Sequence, residues 1–320
     1  MNRRFCGVLL AGFTVLGACD QGPEMLLSIP GTAVIIGSAF VDANTNGIQD
    51  GEDRSLPGLR VQVAYSSASD TLMSVVTGPD GQFFLDGIAV GDLRLEVDAA
   101  TIPDSLVIEA VSDAQFSLGA NDTARVTIRA GYPRATVAEA RALPAGRRIV
   151  VEGVAVSPLA AFENGIAHIV AGGGAIRASG VPASAIAPGD SIRLVAATAR
   201  DNGQPILEVD SWRVLTRVQV PAPMDVTTAE AANASGGALD AQLVRVRSAT
   251  VTSVTVAEGQ HRFTLDDGSG VLDAAVSTDR DFNLELLTES SRIDATGVLV
   301  PLGTGRWRLL PRTNADISER

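Results

Sequence analysis

Asp42-Ala-Asn-Thr-Asn-Gly-Ile-Gln-Asp-Gly-Glu-Asp53 places oxygen-bearing side chains at loop positions one, three, five, nine and twelve, with Gly47 at position six. Carboxylates and amides at every second residue can turn to one side of a tight loop. Gly47 permits the bend that a Cβ would obstruct. A hard cation such as Ca²⁺ takes six to eight oxygens at about 2.3–2.6 Å. With the carbonyl of Ile48 as main-chain donor, the candidate ligands are Asp42, Asn44, Asn46, Ile48, Asp50 and Asp53. The last position departs from the calcium-loop pattern, because Asp53 stands where Glu is usual. It is one methylene shorter, and Glu52 beside it is the other candidate to close the site. A metal-free Asn/Asp/Gly turn would have the same composition. Metal is the expectation here.

The flanks decide what kind of loop this is. Val34–Val41 precedes it and Leu59–Tyr65 follows it, and both are rich in β-branched or aromatic residues. The second alternates strictly, so both predict strands rather than the paired helices of an EF-hand. A cation between two strands staples them; sheets do not swing open as helix pairs do.

Gly37-x-x-Phe40-x-Asp42-x-Asn44-x-Asn46-Gly47, followed by Leu56-Pro-Gly-Leu-x-Val61-x-Val63, resembles the B-type repeat domains of SD-repeat bacterial surface adhesins. Thr77-Gly-Pro-Asp80-Gly81-Gln-Phe83 and Val90–Val97 resemble later strands of those domains. The resemblance covers residues 31–130. It implies a prealbumin-like β-sandwich whose loop binds Ca²⁺ through Asp42, Asn44, Asn46, Asp50 and Asp53. A related adhesin family crosslinks itself through a lysine. This chain has no lysine, which excludes that bond.

The amino terminus combines Arg3 and Arg4, an apolar stretch from Phe5 to Val15, and Leu16-Gly-Ala-Cys19. A basic start, a short apolar segment and small residues before a cut describe an export signal over 1–18. Leu-Gly-Ala-Cys resembles the bacterial lipobox, which implies lipidation of Cys19 and a cell-envelope protein anchored through it. Residues 19–30 would be the tether. Cys6 and Cys19 are the only cysteines, so no disulfide framework is available to the mature chain. No other apolar run is long enough to span a bilayer.

Hydrophobic residues make up 46% of the chain but aromatics only 4%, so the cores must be built from Val, Ile, Leu and Ala. Gly and Pro punctuate many short segments, as in all-β chains. Residues 31–130 hold 14 acidic side chains against 5 arginines, 131–220 hold 7 against 9, and 221–320 hold 14 against 9. Such a surface repels polyanions at long range.

Beyond Gly131-Tyr-Pro-Arg134 the chain repeats itself. Thr136-Val-Ala-Glu139 returns as Thr227-Thr-Ala-Glu230, and each reads as a capping box opening a short helix. Strands follow at 148–156 and 243–251, then a Gly-rich turn with further strands. Two units, 131–220 and 221–320, joined at Pro221-Ala-Pro223, fit OB-like barrels. Trp307-Arg-Leu-Leu-Pro-Arg312 with Asp316-Ile317 resembles OB-type modules appended to exported bacterial nucleases and phosphatases, although no catalytic domain accompanies them here. The expected fold is therefore all-β: a prealbumin-like β-sandwich followed by two OB-like β-barrels.

Little in the sequence suggests chemistry. His168 and His261 are the only histidines, and they read as equivalent positions of the two repeats. No paired-histidine zinc motif or Gly-x-Ser-x-Gly elbow occurs. Asp266-Asp-Gly-Ser-Gly270 reads as a hairpin turn. Arg245 and Arg247 share one strand face, as do Arg306 and Arg308, which makes these four the candidate ligand-binding residues. Trp212 and Trp307 read as equivalent barrel plugs. Together these features predict a non-enzymatic, lipid-anchored binding or scaffold protein with a structural Ca²⁺. Its partners would be the membrane and a surface or matrix ligand, protein or glycan. Nucleic-acid or oligosaccharide binding by the barrels is the first alternative, and a hydrolase with an unfamiliar site is the second.

Overall fold

The computed structural model describes residues 31–157, 166–182, 185–278 and 282–320. The predicted export signal, the tether and Cys19 lie outside the described residues. Among the described residues, no helix is long and apolar enough to cross a membrane. The fold is all-β, a β-sandwich followed by two five-stranded barrels.

The sandwich is built from β1 (Thr32–Val41), β2 (Arg54–Ser55), β3 (Arg60–Tyr65), β4 (Thr71–Val76), β5 (Gln82–Ala89), β6 (Gly91–Val97), β7 (Val107–Val111), β8 (Gln115–Leu118) and β9 (Thr123–Gly131). In one sheet β1 pairs antiparallel with β2 and β5 and parallel with β9, and β7 lies outside β9. The facing sheet runs β4-β3-β6-β8. Side chains alternate in and out along each strand. Ala33, Ile35 and Ala39 of β1 therefore meet Val61 and Val63 of β3, Leu93 and Leu95 of β6, and Val126 and Ile128 of β9. Fully burying each of the Val, Ile and Leu side chains stabilises the fold by roughly 1.5–3 kcal/mol. Gly37 sits where β1 is squeezed between β5 and β9; a Cβ there would strike the Phe83 ring and the Val126 carbonyl.

The first barrel comprises β10 (Arg134–Ala135), α1 (Val137–Ala142), β11 (Arg148–Ala155), β12 (Ile166–Ala171), β13 (Gly174–Ser179), β14 (Asp190–Asp201) and β15 (Gln204–Arg217). Its strands run β11-β12-β13-β15-β14 and close by pairing β14 with β11. The antiparallel run is broken where β13 meets β15 in parallel. The second unit comprises β16 (Met224–Asp225), α2 (Thr228–Ala232), α3 (Ala234–Gly237), β17 (Leu243–Ala257), β18 (Gln260–Asp266), β19 (Val271–Ser277), β20 (Arg292–Gly303), β21 (Arg306–Leu310) and β22 (Ile317–Glu319). It repeats the ring as β17-β18-β19-β21-β20, closed by β17 with β20, with β19 parallel to β21. This strand order is that of an OB-like barrel.

Both helices open as their sequences predict. Thr136 Oγ1 accepts from the Glu139 N–H at 3.2 Å while Glu139 Oε2 accepts from the Thr136 N–H at 2.8 Å. Thr227 and Glu230 repeat the exchange at 3.2 and 2.9 Å. The predicted hairpin turn also forms, with Asp266 Oδ1 accepting from the Gly268 N–H at 2.7 Å. Its second acid does more than turn the chain, because Asp267 accepts from Thr228 Oγ1 at 2.7 Å and from the Thr228 N–H at 3.1 Å.

The three units pack on one another. Tyr132, Val150 and Val195 join the sandwich core from the barrel side. The barrels share a small core in which Val156, Val170 and Ala175 meet Leu243, Val298 and Leu310. Arg312 seals this seam by donating to the Val156 carbonyl at 2.8 Å while clasping Asp316.

Two expected equivalences do not hold. Trp307 lies just past its hairpin and is 3% exposed, with Nε1 donating to Asp240 Oδ1 at 2.8 Å. Trp212 sits far along the longer strand β15 and is 37% exposed, so it is not a plug. Likewise His168 is buried on β12, whereas His261 begins β18 and is half-buried. The repeat fixes the ring but not the length of its hairpins, and a few extra residues move a side chain out of the barrel interior.

Candidate metal-binding loop and barrel faces

The 42–53 loop leaves the end of β1 and returns into β2, so its two ends are tied in one sheet. Asp42 is 1% exposed. Its Oδ1 accepts from the Asn46 N–H at 3.0 Å and its Oδ2 from the Gly47 N–H at 2.8 Å. Asn44 Oδ1 also accepts from Asn46 N–H at 3.0 Å, and Asn46 Oδ1 from Ile48 N–H at 2.8 Å. Asp53 clasps both ends, taking Ala43 N–H at 2.9 Å and Asp50 N–H at 3.0 Å. Each oxygen side chain thus orders the chain two to five residues on, or across the loop. Thr45 and Gly47 take the positive φ values, 57° and 83°, that let the chain coil so tightly.

The remaining polar atoms converge on Asp50. Asn46 Nδ2 donates to Asp50 Oδ2 at 2.6 Å and Asn44 Nδ2 to the same oxygen at 3.2 Å. Asn44 Nδ2 also reaches Glu52 Oε2 at 3.0 Å. The Glu52 N–H bond and these two amides hold the Asp50 carboxyl below its ordinary pKa. Ile48 turns its side chain to solvent, 70% exposed. Arg129 of β9 stands beside Gly47, its Nη1 3.6 Å from Asp42 Oδ2 and its Nε 3.6 Å from Glu109 Oε2.

Six candidate donors of the hard-oxygen kind lie in this loop, which fits Ca²⁺ in kind and number. Among the described residues, however, no three His, Cys, Asp or Glu side chains are gathered closely enough to share a metal ion. Asn44 and Asn46 stand between the carboxylates. An oxygen of each asparagine is already held in the loop by a main-chain N–H, and a carbonyl-type oxygen keeps a second lone pair for an ion.

The four candidate arginines do not converge. Arg245 and Arg247 both grip Asp225, through Nε at 2.7 and 3.2 Å and through Nη2 at 3.2 and 3.1 Å. Their bonds hold the Asp225 carboxyl down at about 2. Arg306 pairs with Asp273 at 2.7 Å. Arg308 donates to Gln260 Oε1 at 3.1 Å and, with Arg262, Thr255 and Phe263, lines a groove of about 280 Å³ on the second barrel. Arg308 thus lines a concave surface, and Arg262, absent from the sequence-based candidates, lies beside it.

A further buried network went unread in the sequence. Ser157 Oγ and His168 Nδ1 are 2.9 Å apart. A serine in contact with a histidine can be a nucleophile pair. Here both are buried, and burial, aided by Arg177, lowers the His168 pKa to about 3, so the ring stays neutral. Arg177 lies between Asp201 Oδ2 at 2.6 Å and Asp240 Oδ2 at 3.7 Å across the barrel seam. Burial raises the Asp240 pKa, against the Trp307 bond and the nearby arginines. These residues come from both barrels, so no local spacing announces them.

No family model matches the chain, and no curated protein does. Among solved structures it is similar to the minor pilin GBS52 of Streptococcus agalactiae, at 15% identity over 33% of this chain and 47% of that one, with a TM-score of 0.25. It thus spans about half the length of that pilin. It is also similar to a murine DNA binding protein bound with double-stranded DNA, at 11% identity over 53% of this chain and 96% of that one, TM-score 0.31. A third likeness is to the hypothetical protein ygiW from E. coli, at 15% identity over 26% and 89% of the two chains, TM-score 0.23.

Proposed function

We propose that this is an exported, lipid-anchored, non-enzymatic binding or scaffold protein of the cell envelope, whose sandwich resembles SD-repeat B domains and carries a structural Ca²⁺ in the 42–53 loop. Asp42 is the observation that supports the reading. A buried carboxylate at loop position one orders the turn through two main-chain N–H groups and faces one arginine, in a loop holding three more acids. A divalent ion would draw these acids and the two asparagine oxygens to one centre. Asp42, Asn44, Asn46, Asp50, Asp53 and the Ile48 carbonyl would hold it. The ion would supply cohesion between β1 and β2, with no catalytic step. Cys19 would carry the lipid, and residues 19–30 would space the sandwich from the membrane.

The test is calcium titration calorimetry on the purified chain, together with melting in calcium and in chelator. Calcium should bind and raise the melting temperature, and Asp42→Ala should remove both effects. Identical melting in calcium and chelator would end the metal reading. The groove at Arg262 and Arg308 favours a second reading, in which the barrels bind a nucleic acid or oligosaccharide. Gel-shift and glycan-array binding lost in Arg308→Gln would support it.

A further inference from the structure

A deep cleft runs between the sandwich and the first barrel. Its larger part, about 500 Å³, is lined by Val41, Arg54, Leu106, Tyr132, Arg148 and Ala197. A second part, about 310 Å³, continues from it past Ser105, Gly146 and Arg148 and adds Arg134 and Arg147. Both volumes are of the size that takes small ligands. The larger part has no acid in its lining. Glu139 is the acid in the second, and its Oε2 already accepts from the Thr136 N–H and hydroxyl, each at 2.8 Å.

The charge here runs against the rest of the molecule. The chain carries a formal charge of −12, most of it on the sandwich that forms one wall. Four arginines against one glutamate line this cleft. Arg134 pairs with Glu152 at 3.0 Å and Arg148 with Asp210 at 2.9 Å. Arg54 and Arg147 have no carboxylate within ion-pairing distance among the described residues.

Two of the guanidinium groups, those of Arg54 and Arg148, are also held in place. Tyr132 is 5% exposed and holds both. Arg54 Nη2 donates to its hydroxyl, and the Arg148 guanidinium lies over its ring with Cζ 5.9 Å from the centroid, at the edge of cation–π range. Asp210 takes Arg148 Nε at 2.9 Å and Nη2 at 3.2 Å, which sets the orientation of the fork. An arginine held on a tyrosine loses less freedom when it grips a planar or tetrahedral oxyanion.

We propose that the cleft binds a small oxyanion ligand, a carboxylate- or phosphate-bearing molecule, through Arg54, Arg147 and Arg148, with its apolar part against Val41, Leu106 and Ala197. The site does not use the calcium-loop donors, and it stands or falls separately from them.

Calorimetry on the purified chain at low salt tests it, with D-glucuronate as carboxylate probe, D-glucose 6-phosphate as phosphate probe and D-glucose as the uncharged control. At least one anionic sugar should bind at least tenfold tighter than glucose, and the better of the two identifies the preferred group. Arg54→Gln with Arg147→Gln should weaken that binding at least tenfold while calcium binding stays as it was. Arg147→Glu, an exposed reversal, should do the same if the double variant folds poorly. Arg306→Gln, away from the cleft, should change nothing. Failure of both anions to bind, equal binding of glucose, retention in the arginine variants, or equal loss in Arg306→Gln would each overturn the proposal.

Discussion

Arg129 Nη1 lies 3.6 Å from Asp42 Oδ2, so the buried first carboxylate of the loop already faces a cation supplied by the neighbouring strand. A bound ion and this guanidinium would compete for one charge. Arg129→Gln should therefore tighten calcium binding by about tenfold, on the order of 1 kcal/mol for a partly screened pair. The same change should lower the melting temperature in chelator, where Asp42 and Glu109 would lose their shared counter-charge. Calorimetry and melting with and without calcium read both effects. Weaker binding in the variant would contradict this account.

Asp42→Ala removes more than a ligand. The Gly47 N–H loses its acceptor, while the Asn46 N–H keeps Asn44 Oδ1. Removing a hydrogen bond to a charged acceptor costs about 1.5–3 kcal/mol, so the variant should melt lower even in chelator. Calcium at a hundredfold excess over Kd should stabilise the parent by about 2.7 kcal/mol and this variant not at all. Urea titrations in both conditions separate the two losses.

His168 sets an acid limit. Its pKa falls from 6.5 to about 3 through burial and the Arg177 charge, so the folded ring stays neutral where the unfolded ring takes up a proton. The unfolded state then binds more protons between about pH 6.5 and 3. Stability should fall as pH drops through that window, by an amount on the order of 4 kcal/mol at its lower end. His168→Gln should flatten the slope between pH 6.5 and 4 in chemical denaturation. An unchanged slope would mean that other groups set the acid sensitivity.

Trp307 and Asp240 tie the second barrel's interior to its seam. Trp307→Phe keeps most of the apolar volume but deletes the 2.8 Å bond to Asp240 Oδ1. Asp240 would then rely on Arg177 and Arg141 for compensation. The expected loss is about 1–3 kcal/mol. Asp240→Asn together with Trp307→Phe should lose less than the separate losses added, since both changes break one contact.

Much of the architecture was legible. Strict alternation in Leu59–Tyr65 gave a strand, and Thr136/Glu139 and Thr227/Glu230 marked both helix starts because capping is a local exchange between residues three apart. The Asp266–Gly270 turn was likewise local. The partners of distant groups were not readable. Arg129 sits far along the chain from Asp42, and only the parallel pairing of β1 with β9 brings them together. Tyr132 read as a boundary marker, yet it holds Arg54 and Arg148 in place. Trp212 misled because a repeat in sequence does not fix how far each hairpin extends beyond its ring.

The apolar seam between the barrels has a mechanical meaning. Val156, Val170 and Ala175 cannot part from Leu243, Val298 and Leu310 without wetting both sets. A protease cutting at Pro221-Ala-Pro223 would therefore leave two fragments that still travel together on a sizing column. The strength of the whole under pulling would reside in that shared surface and its Arg312 clasp, not in the peptide that joins the halves.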